Sequence, residues 1–302
     1  MTTVVALGGN ALVREGERGT AAEQRANLRT HCAALAPLLD EPLVVTHGNG
    51  PQVGAALLRA ERAADEVPPL PLWLAVAQTQ AEIGALIALE LGALATSPVA
   101  CVVTHVRVDP EDPAFEDPTK PIGPYYARDD AERLESERGW RLVEDSRRGW
   151  RRVVPSPEPR AIVELDPVAR LLAEGAIAIA CGGGGIPVVE RSGRLDGVDA
   201  VIDKDSSSGL LARELGARRL VVLTDVPALF RGFGTPRQEE VRTLTPSEAD
   251  ALLDELPEGS MRPKVRASAA FVRETGGEAL IASAEAFSRA LAGESGTRIV
   301  GE

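Results

Sequence analysis

Residues 43–54, which read LVVTHGNGPQVG, decide how the chain folds. A run of β-branched and apolar residues is followed by the loop Gly48-Asn49-Gly50, and Pro51 suits the first position of a helix. A strand, a bare loop and a helix in this order predict one unit of an α/β protein, with the positive end of the helix directed at the loop.

The same order recurs along the sequence, because short β-rich runs alternate with helical patterns. Several runs are continuously apolar, as expected of parallel strands that are covered on both faces, so the pattern predicts an α/β layered fold. Predicted strands cover residues 3–7, 43–47, 99–105, 176–181, 186–190, 220–224, 279–282 and 298–300. Predicted helices cover residues 21–39, 51–64, 72–91, 167–173, 206–215, 246–256, 262–275 and 284–292.

Residues 109–159 interrupt this alternation. The segment is rich in proline and charge, and it contains both tyrosines and two of the three tryptophans. Long irregular segments within compact domains are commonly functional. We therefore interpret this one as an inserted subdomain or lid.

Three glycine clusters each follow a predicted strand: Gly8-Gly9-Asn10, Gly48-Asn49-Gly50 and residues 182–185. The carboxyl ends of the strands of an open α/β sheet form a ligand crevice, where bare backbone can approach an anion closely. A single cluster of this kind is usually a tight turn. Three of them after three strands predict one shared anion-binding site.

Common anion-binding motifs do not fit these loops. The sequence contains no Gly-Lys pair, so the phosphate loop of P-loop kinases is excluded. The dinucleotide fingerprint GxGxxG fails after both Gly48 and Gly182. The looser GxGxxxG spacing at Gly48 occurs in short-chain reductases, but Asp129 and Asp130 stand where their Tyr-x-x-x-Lys pair requires lysine.

Composition restricts the classes of partner. The 302 residues include 33 basic and 45 acidic side chains, and the net charge of −12 argues against a nucleic-acid coat or an anionic membrane surface. No run of about 18 uncharged apolar residues occurs and the start lacks the features of a secretory signal, which predicts a cytoplasmic protein. Cys32, Cys101 and Cys181 are odd in number and far apart, so we expect small core residues rather than disulfides or a metal site.

Lysine is scarce in this sequence. Only Lys120, Lys204 and Lys264 occur among the 33 basic residues, and the other 30 are arginine. In a chain with so strong an arginine preference, a retained lysine indicates a role for a compact ammonium that a planar guanidinium cannot fill. The alternative is chance retention at the surface.

The local contexts of the lysines favour function. Lys204 has an aspartate on each side, which could hold its ammonium in one position, and the second of them, Asp205, is the predicted N-cap of the next helix. Lys264 lies in the first turn of a helix with Ser260 as the predicted cap, where a cation is disfavoured unless an anion binds there too. Lys120 lies in a proline-stiffened loop of the insertion, which could deliver a charge from a lid.

Taken together, these residues resemble the motifs of carbamate kinases, a branch of the amino acid kinase superfamily. The resemblance covers essentially the whole chain and includes residues 6–12, 46–54, 118–126, 181–188, 198–209, 223–226 and 259–265. It implies a single domain with an open, mainly parallel eight-stranded αβα sheet, and a homodimer. It also implies that about residues 1–195 bind carbamate or carbamoyl phosphate, that about residues 196–302 bind ADP or ATP, and that about residues 109–159 form a protruding lid.

The resemblance also implies roles for individual residues. Lys204 and Lys264 would stabilise the transition state, and Lys120 would close over the substrate. Asp203 and Asp205 would organise the lysines. The residues expected to hold the transferred phosphoryl group and carbamate are Gly8, Gly9, Asn10, Gly48, Asn49 and Gly50. The residues expected to bind the nucleotide are Gly182, Gly183, Thr224, Asp225, Phe230, Met261, Pro263 and Lys264.

At two positions this chain departs from residues that are common in the superfamily or in the carbamate kinase family. Many superfamily members have a lysine where this chain has Ala6. Carbamate kinases also lack that lysine, and the resemblance implies that Lys204 takes over its role. This favours the carbamate kinase branch over acetylglutamate or uridylate kinases. The family usually has a tyrosine near Phe230, and phenylalanine keeps an aromatic face for adenine.

The implied reaction is reversible phosphoryl transfer between ATP and carbamate, with Mg²⁺ carried by the nucleotide and no metal site in the protein. The family usually consumes carbamoyl phosphate from arginine breakdown. Carbamate is already an oxyanion and needs no general base, which agrees with the isolated positions of His31, His47 and His105; we expect His47 to be structural. Two alternatives remain: a superfamily kinase for another small acid, and a catalytically silent nucleotide sensor.

Overall fold

Strands and helices alternate along the chain in a computed structural model that describes residues 1–8, 11–14, 16–144, 149–257 and 259–301. The strands are β1 (Thr3–Leu7), β2 (Leu43–His47), β3 (Val99–Cys101), β4 (His105–Val108), β5 (Lys120–Tyr126), β6 (Leu142–Glu144), β7 (Trp150–Val154), β8 (Pro159–Ile162), β9 (Ile177–Ile179), β10 (Ile186–Arg191), β11 (Arg194–Gly197), β12 (Arg219–Thr224), β13 (Leu229–Arg231), β14 (Glu239–Val241), β15 (Thr243–Leu244), β16 (Glu278–Ser283) and β17 (Thr297–Ile299). The helices are α1 (Ala21–Ala34), α2 (Gly50–Arg62), α3 (Leu72–Gly92), α4 (Arg128–Arg138), α5 (Leu165–Ala173), α6 (Lys204–Glu214), α7 (Pro246–Leu252), α8 (Met261–Thr275) and α9 (Phe287–Leu291).

The main sheet has eight strands among the described residues, in the order β15-β17-β16-β12-β1-β2-β9-β3. The six strands from β16 to β3 are parallel to one another. Strand β17 is antiparallel to β16, and β15 is parallel to β17. The predicted fold class, an open and mainly parallel eight-stranded α/β sheet, is confirmed.

The central strands divide their side chains between two cores, because successive residues of a strand point to opposite faces. Val4 packs in one core with Leu211 of α6. Val5 packs in the other core with Leu28 of α1. Strand β1 is therefore buried along its whole length, which explains its continuously apolar sequence.

The predicted strand at residues 99–105 is wrong in one respect, because it is two strands in two sheets. Strand β3 is the edge of the main sheet, whereas β4 belongs to a second sheet in the order β11-β10-β4-β8. The side chain of Gln80 accepts a hydrogen bond from the Thr104 N–H at 2.5 Å, and the Thr104 hydroxyl accepts one from the Cys181 N–H at 3.1 Å. These contacts hold the chain where it leaves the main sheet.

Part of the predicted insertion forms a small unit, which we call the inserted subdomain: the described residues of 120–154. Its strands form a three-stranded sheet in the order β5-β7-β6, and α4 packs on it through Ala131 and Leu134. Ile122 and Val154 instead join a cluster with Val53 of α2. The inserted subdomain thus has a core of its own and a second apolar contact with the main body.

Helix α3 is long and apolar enough to cross a membrane by length and composition alone. In this fold it packs against α1 and α2. Its polar residues Thr79 and Gln80 are buried and hydrogen-bonded. We therefore interpret α3 as a core helix.

The cysteines do not all follow the prediction. Cys32 and Cys181 are buried, as expected. Cys101 is exposed, because it lies on β3 at the edge of the main sheet, so its prediction as a core residue was wrong.

Candidate active site

The predicted glycine loops follow strands that are neighbours in the main sheet. Strands β12, β1, β2 and β9 lie side by side and parallel, so their carboxyl ends meet at one edge. Gly8 follows β1, residues 48–50 follow β2, and residues 182–185 lie between β9 and β10. Gly9 and Asn10, which were predicted to hold the substrate, lie outside the described residues.

Two close approaches explain why these loops need glycine. A Cβ on Gly48 would lie 3.3 Å from the Lys204 Cδ, so the lysine stem runs directly over the loop. Gly183 has a φ of +65°, and a Cβ there would lie 2.3 Å from the Asn49 Nδ2. The loops after β2 and β9 therefore touch each other.

Helix α6 is capped by Asp203 and not by Asp205, so the predicted cap was wrong. Asp203 has an extended backbone, and its carboxylate accepts hydrogen bonds from the N–H groups of Asp205 at 2.9 Å and Ser206 at 3.2 Å. Both aspartates are good capping residues by type. Their assignment depends on which of them lies outside the first helical turn, and this frees the Asp205 side chain for another role.

The three lysines of the sequence converge on these two aspartates. Lys204 and Lys264 both form ion pairs with Asp205, at 2.5 Å and 2.9 Å. Lys120, from strand β5 of the inserted subdomain, pairs with Asp203. Three separate elements therefore bring ammonium groups to one place.

Burial and mutual attraction act against each other in this cluster. Burial favours the neutral acids, but the neighbouring ammonium groups outweigh it and hold the pKa of Asp203 and of Asp205 below its ordinary value. Burial lowers the pKa of Lys204. It acts on Lys264 as well, but the attraction of Asp205 raises the pKa of that ammonium overall. Both aspartates are thus charged at neutral pH, and Lys204 holds its proton less firmly than Lys264.

The cluster opens into a cavity of about 210 Å³. Its walls come from the loop after β2, the inserted subdomain, the segment before α6 and the start of α8. The described residues that line it are Gly48, Asn49, Gly50, Pro51, Lys120, Pro121, Ile122, Arg151, Gly183, Val201, Ile202, Asp203, Lys204, Asp205, Gly259, Ser260, Pro263 and Lys264.

Two helices begin at this cavity without a described side chain on their first N–H groups. Asn49 precedes α2 and Ser260 precedes α8, but neither side chain forms a capping hydrogen bond. Ser260 therefore occupies the predicted cap position without acting as a side-chain cap. The positive ends of two helices and an excess of basic side chains together favour an anion in the cavity.

Three of the eight residues predicted to bind the nucleotide are among the described residues that line the cavity. Gly183, Pro263 and Lys264 line it, and Asp225 is close enough to raise the pKa of Lys264. The others named in that prediction are not among its described lining residues: Gly182, Thr224, Asp225, Phe230 and Met261.

Four of these five residues have contacts in other parts of the fold. Thr224 lies beside Gly8, because a Cβ on Gly8 would lie 3.7 Å from the Thr224 Cα. Phe230 of β13 contacts Phe233, with ring centroids 6.0 Å apart. Met261 packs against the core on the α8 face of the sheet. Gly182 lies behind the loop, against the side chains of His47 and Gln80.

His47 is buried beside the loop and does not reach into the cavity. Its Nδ1 donates to the Gly48 carbonyl at 3.0 Å, and burial lowers its pKa to about 4. A neutral, fully buried imidazole at neutral pH positions the loop and is not placed to act as a general base. The geometry agrees with the structural interpretation.

Sequence reasoning missed the side chains that support the loops. Gln80 donates to the Gly182 carbonyl at 3.0 Å, Thr79 accepts from Asn49 at 3.0 Å, and Ser207 donates to the Gly184 carbonyl at 2.7 Å. Ser208 donates to the Lys204 carbonyl and bonds Thr46 of β2, which ties α6 to β2. For Thr79 and Gln80, the detectable signal was a run of three adjacent polar residues, 78–80, inside the apolar helix α3.

Arg151 is a further charged residue that the sequence did not single out. It lies on β7 and lines the cavity on the side of the inserted subdomain. Among the 30 arginines of this chain, nothing in its local sequence distinguishes it.

Among the described residues, no group of three or more His, Cys, Asp or Glu side chains is arranged to hold a metal ion. Asp203 and Asp205 are both engaged by lysines. The donor set of this cavity therefore suits an anion.

A parallel sheet with helices on both faces, glycine loops at one edge and clustered lysines is the architecture of a phosphoryl-transfer domain. Residues 1–283 match the amino acid kinase family, and the chain belongs to this family. It is 45% identical to a carbamate kinase from Haemophilus influenzae, over 99% of this chain and 96% of that protein. It is 43% identical to a carbamate kinase from Trichomonas vaginalis, over 99% of both chains.

Solved structures agree with the sequence comparison. A structure of carbamate kinase from Giardia lamblia bound to citric acid superposes with a TM-score of 0.94 and 37% identity, covering 100% of this chain and 98% of that one. The family predicted from the sequence motifs is confirmed.

Proposed function

We propose that this protein is a carbamate kinase, which catalyses the reversible transfer of a phosphoryl group between ATP and carbamate. In the direction of ATP synthesis, carbamoyl phosphate and ADP give ATP and carbamate, and carbamate decomposes to ammonia and CO₂. The observation that carries the proposal is the convergence of three lysines on two buried aspartates beside the loops after β2 and β9. Full-length relatives named carbamate kinase support it.

The mechanism needs positioning and positive charge rather than a base. Carbamate is an oxyanion that can attack the γ-phosphoryl group directly, and the charge that develops lies on the phosphoryl oxygens. Lys204 and Lys264 would stabilise that charge, with Asp205 fixing both ammonium groups. Lys120 would contact the substrate from the inserted subdomain, with Asp203 as its partner before substrate arrives.

The backbone of the glycine loops would bind the transferred group. Gly8, Gly48, Asn49 and Gly50 are the described residues proposed for the phosphoryl group and carbamate, and Gly9 and Asn10 complete the sequence-based set. The Asn49 side chain donates to Thr79, so we assign its contribution to the backbone. The free N–H groups at the start of α2 would face the anion.

The nucleotide would lie on the side of α8 and β12. Lys264 and the positive end of helix α8 suit its phosphates. The adenine would lie near Thr224, Phe230 and Met261, and Gly182 and Gly183 would border the nucleotide site. Mg²⁺ would arrive with the nucleotide as part of the substrate and supply charge neutralisation on the phosphates.

We also propose a division of the chain into two binding parts and a lid. About residues 1–195 would bind carbamate or carbamoyl phosphate and about residues 196–302 the nucleotide, with the insertion of about residues 109–159 as the lid. The position of Lys120 supports the lid, because this lysine lines the cavity from the inserted subdomain.

The direct test is ATP formation by the purified protein from ADP, Mg²⁺ and carbamoyl phosphate. The matched control is Lys264→Met, which we expect to remove activity while the protein stays folded. ATP-dependent phosphorylation of acetylglutamate without turnover of carbamoyl phosphate would instead indicate a kinase for another small acid. Nucleotide binding without any transfer would indicate a silent sensor.

We also propose a homodimer formed along the edge strand β3. Among the described residues β3 pairs with β9 on one side only, and Leu89, Leu94 and Val103 nearby are 57%, 47% and 43% exposed. An open strand edge beside exposed apolar side chains favours association. Sedimentation should give twice the chain mass for the parent. Leu89→Glu should be monomeric, and Val67→Glu, at a side chain that is 54% exposed, should still be dimeric. A monomeric parent would contradict the proposal.

The same function fits a cytoplasmic enzyme that produces ATP from arginine breakdown. The partners proposed for it are the small-molecule substrates and a second copy of the chain, without nucleic acid or membrane.

A further inference from the structure

We propose that Glu61, near the end of helix α2, is a positioning residue that holds the inserted subdomain in the orientation in which Lys120 reaches the cavity. This inference rests on the proposed function, in which Lys120 contacts the substrate. Glu61 is not among the described residues that line the cavity, so it would act only through the subdomain.

Two arginines of the inserted subdomain bind the Glu61 carboxylate. Arg138, the last residue of α4, forms an ion pair with one of its oxygens, and the Arg152 Nη1 of β7 lies 3.4 Å from the other. The guanidinium carbons of Arg138 and Arg152 lie 5.1 Å and 4.6 Å from the centre of the Trp140 ring. Both cations therefore share one aromatic contact, which restricts their positions.

The contact at Glu61 is partly shielded from water. The side chains of Arg152 and Glu61 are 26% and 23% exposed, whereas those of Arg128 and Glu132, an ion pair on the same subdomain, are 74% and 64% exposed. Burial lowers the pKa of Arg152, and the attraction of Glu61 opposes that shift. Partly buried pairs are screened less than exposed ones, so the pair at Glu61 should contribute more than the exposed pair.

Glu61 brings no advantage to helix α2 itself. It lies in the last turn, where the negative end of the helix dipole disfavours a carboxylate. Arg59 and Arg62 in the same turn have the favoured sign of charge. The partners of Glu61 in the inserted subdomain therefore account for its presence.

Glu61 is the second of two contacts on one face of α2. It follows Gly54 by seven positions, which is nearly two helical turns, so both residues lie on the same face. At Gly54 the backbones touch, because a Cβ there would lie 1.9 Å from the Gly123 Cα. The two contacts are about 10 Å apart along the helix. One contact alone would let the subdomain pivot, whereas two contacts fix its direction.

The sheet of the inserted subdomain connects Glu61 to Lys120. Lys120 and Ile122 lie on β5, and Ile122 is paired with Arg152 of β7. A tilt of this sheet away from Glu61 would therefore carry the Lys120 ammonium away from Asp203 and the cavity. Misplacement of a charge by about 1 Å can cost about 100-fold in rate, so a small tilt is enough to lower turnover.

The first test compares ATP formation by the parent, Glu61→Gln and Glu61→Asp. The control is Glu132→Gln, which makes the same change in the exposed ion pair with Arg128. For Glu61→Gln we expect kcat to fall about 10-fold, with the KM for ADP and the thermal midpoint nearly unchanged. Glu61→Asp keeps the charge and should recover part of the loss, and Glu132→Gln should behave like the parent.

Hydrogen exchange reports on the inserted subdomain independently of activity. Loss of a docking contact promotes local opening, which accelerates exchange of the amides that it exposes. We expect several-fold faster exchange in β5 of Glu61→Gln than in the parent, with β12 of the main sheet unchanged. Glu132→Gln should leave both strands at parental rates.

Two results would overturn the proposal while leaving the kinase function intact. One is parental kcat, or parental exchange in β5, in Glu61→Gln. The other is faster exchange in both strands with a lower thermal midpoint, which would show that Glu61 only stabilises the fold. A parent that forms no ATP would overturn the proposed function itself, and this inference with it.

Discussion

Lys120 of the inserted subdomain forms an ion pair with Asp203, the residue that caps helix α6. One carboxylate therefore fixes both the start of the helix that carries Lys204 and the ammonium group of the inserted subdomain. An anionic substrate in the cavity would compete with Asp203 for Lys120. The pair thus gives the lysine a defined position from which it can transfer to substrate.

Asp203→Asn should separate the capping of α6 from the ion pair with Lys120. Asparagine still caps a helix, so we expect the thermal midpoint to fall only by the contribution of the carboxylate charge, whereas release of Lys120 should lower kcat about 10- to 100-fold. Asp203→Ala removes the cap as well and should destabilise the protein by about 0.5–2 kcal/mol more. Calorimetry and turnover of both variants check this, and full activity of Asp203→Asn would contradict it.

Lys204→Arg should keep the positive charge and lose most of the turnover. The Lys204 side chain is 10% exposed and its stem lies over Gly48, so a broader head group cannot occupy the same position. Misplacement of a charge by about 1 Å can cost about 100-fold in rate. Lys120→Arg, at a side chain that is 30% exposed, is the matched control and should lose less. Near-parental kcat for Lys204→Arg would remove the explanation offered for the scarcity of lysine.

Gly54→Ala should displace the inserted subdomain from α2. The new Cβ would lie 1.9 Å from the Gly123 Cα, and backbone atoms at that distance must move apart. We expect kcat to fall about 10-fold or more with nucleotide affinity within about 2-fold, because Lys120 moves and the α8 side does not. Gly92→Ala, where a Cβ meets no atom within 4 Å, is the control. Loss of nucleotide binding in Gly54→Ala would show that the two sides of the site are not independent.

His47 should make stability depend on pH in a defined range. Burial lowers its pKa to about 4 from an ordinary value of 6.5, so the unfolded chain binds more protons between these values. Stability should therefore fall as the pH drops below 6.5, by about 1 kcal/mol between pH 7.5 and 5.5. His47→Asn keeps a donor for the Gly48 carbonyl but does not titrate, so its urea-unfolding free energy should lose this part of the slope. Equal slopes for the two proteins would contradict the assignment.

The sequence predicted the parts of the fold that depend on local pattern. Strand β1 could be predicted because both of its faces are buried, which leaves a continuously apolar run. The break between β3 and β4 could not, because it depends on Gln80, which binds Thr104 from 24 positions earlier in the chain. A contact between distant residues leaves no periodic signal.

The candidate site shows the same limit. Lysine scarcity drew attention to Lys204 because that signal is compositional and independent of the fold. Composition could not decide between Asp203 and Asp205 as the cap, since both residue types favour that position and only the helix start separates them. Arg151 could not be recognised from composition, because arginine, unlike lysine, is the common basic residue of this chain.

The gathering of every lysine of the sequence into one cavity has a practical consequence. Apart from the terminal amine, the chain offers acylating and Schiff-base reagents only the ammonium groups of Lys120, Lys204 and Lys264. Their side chains are 30%, 10% and 11% exposed, so Lys120 should be modified first. The number of adducts on the intact chain, read by mass spectrometry, would then report directly whether the cavity is occupied, without any label attached to the protein beforehand.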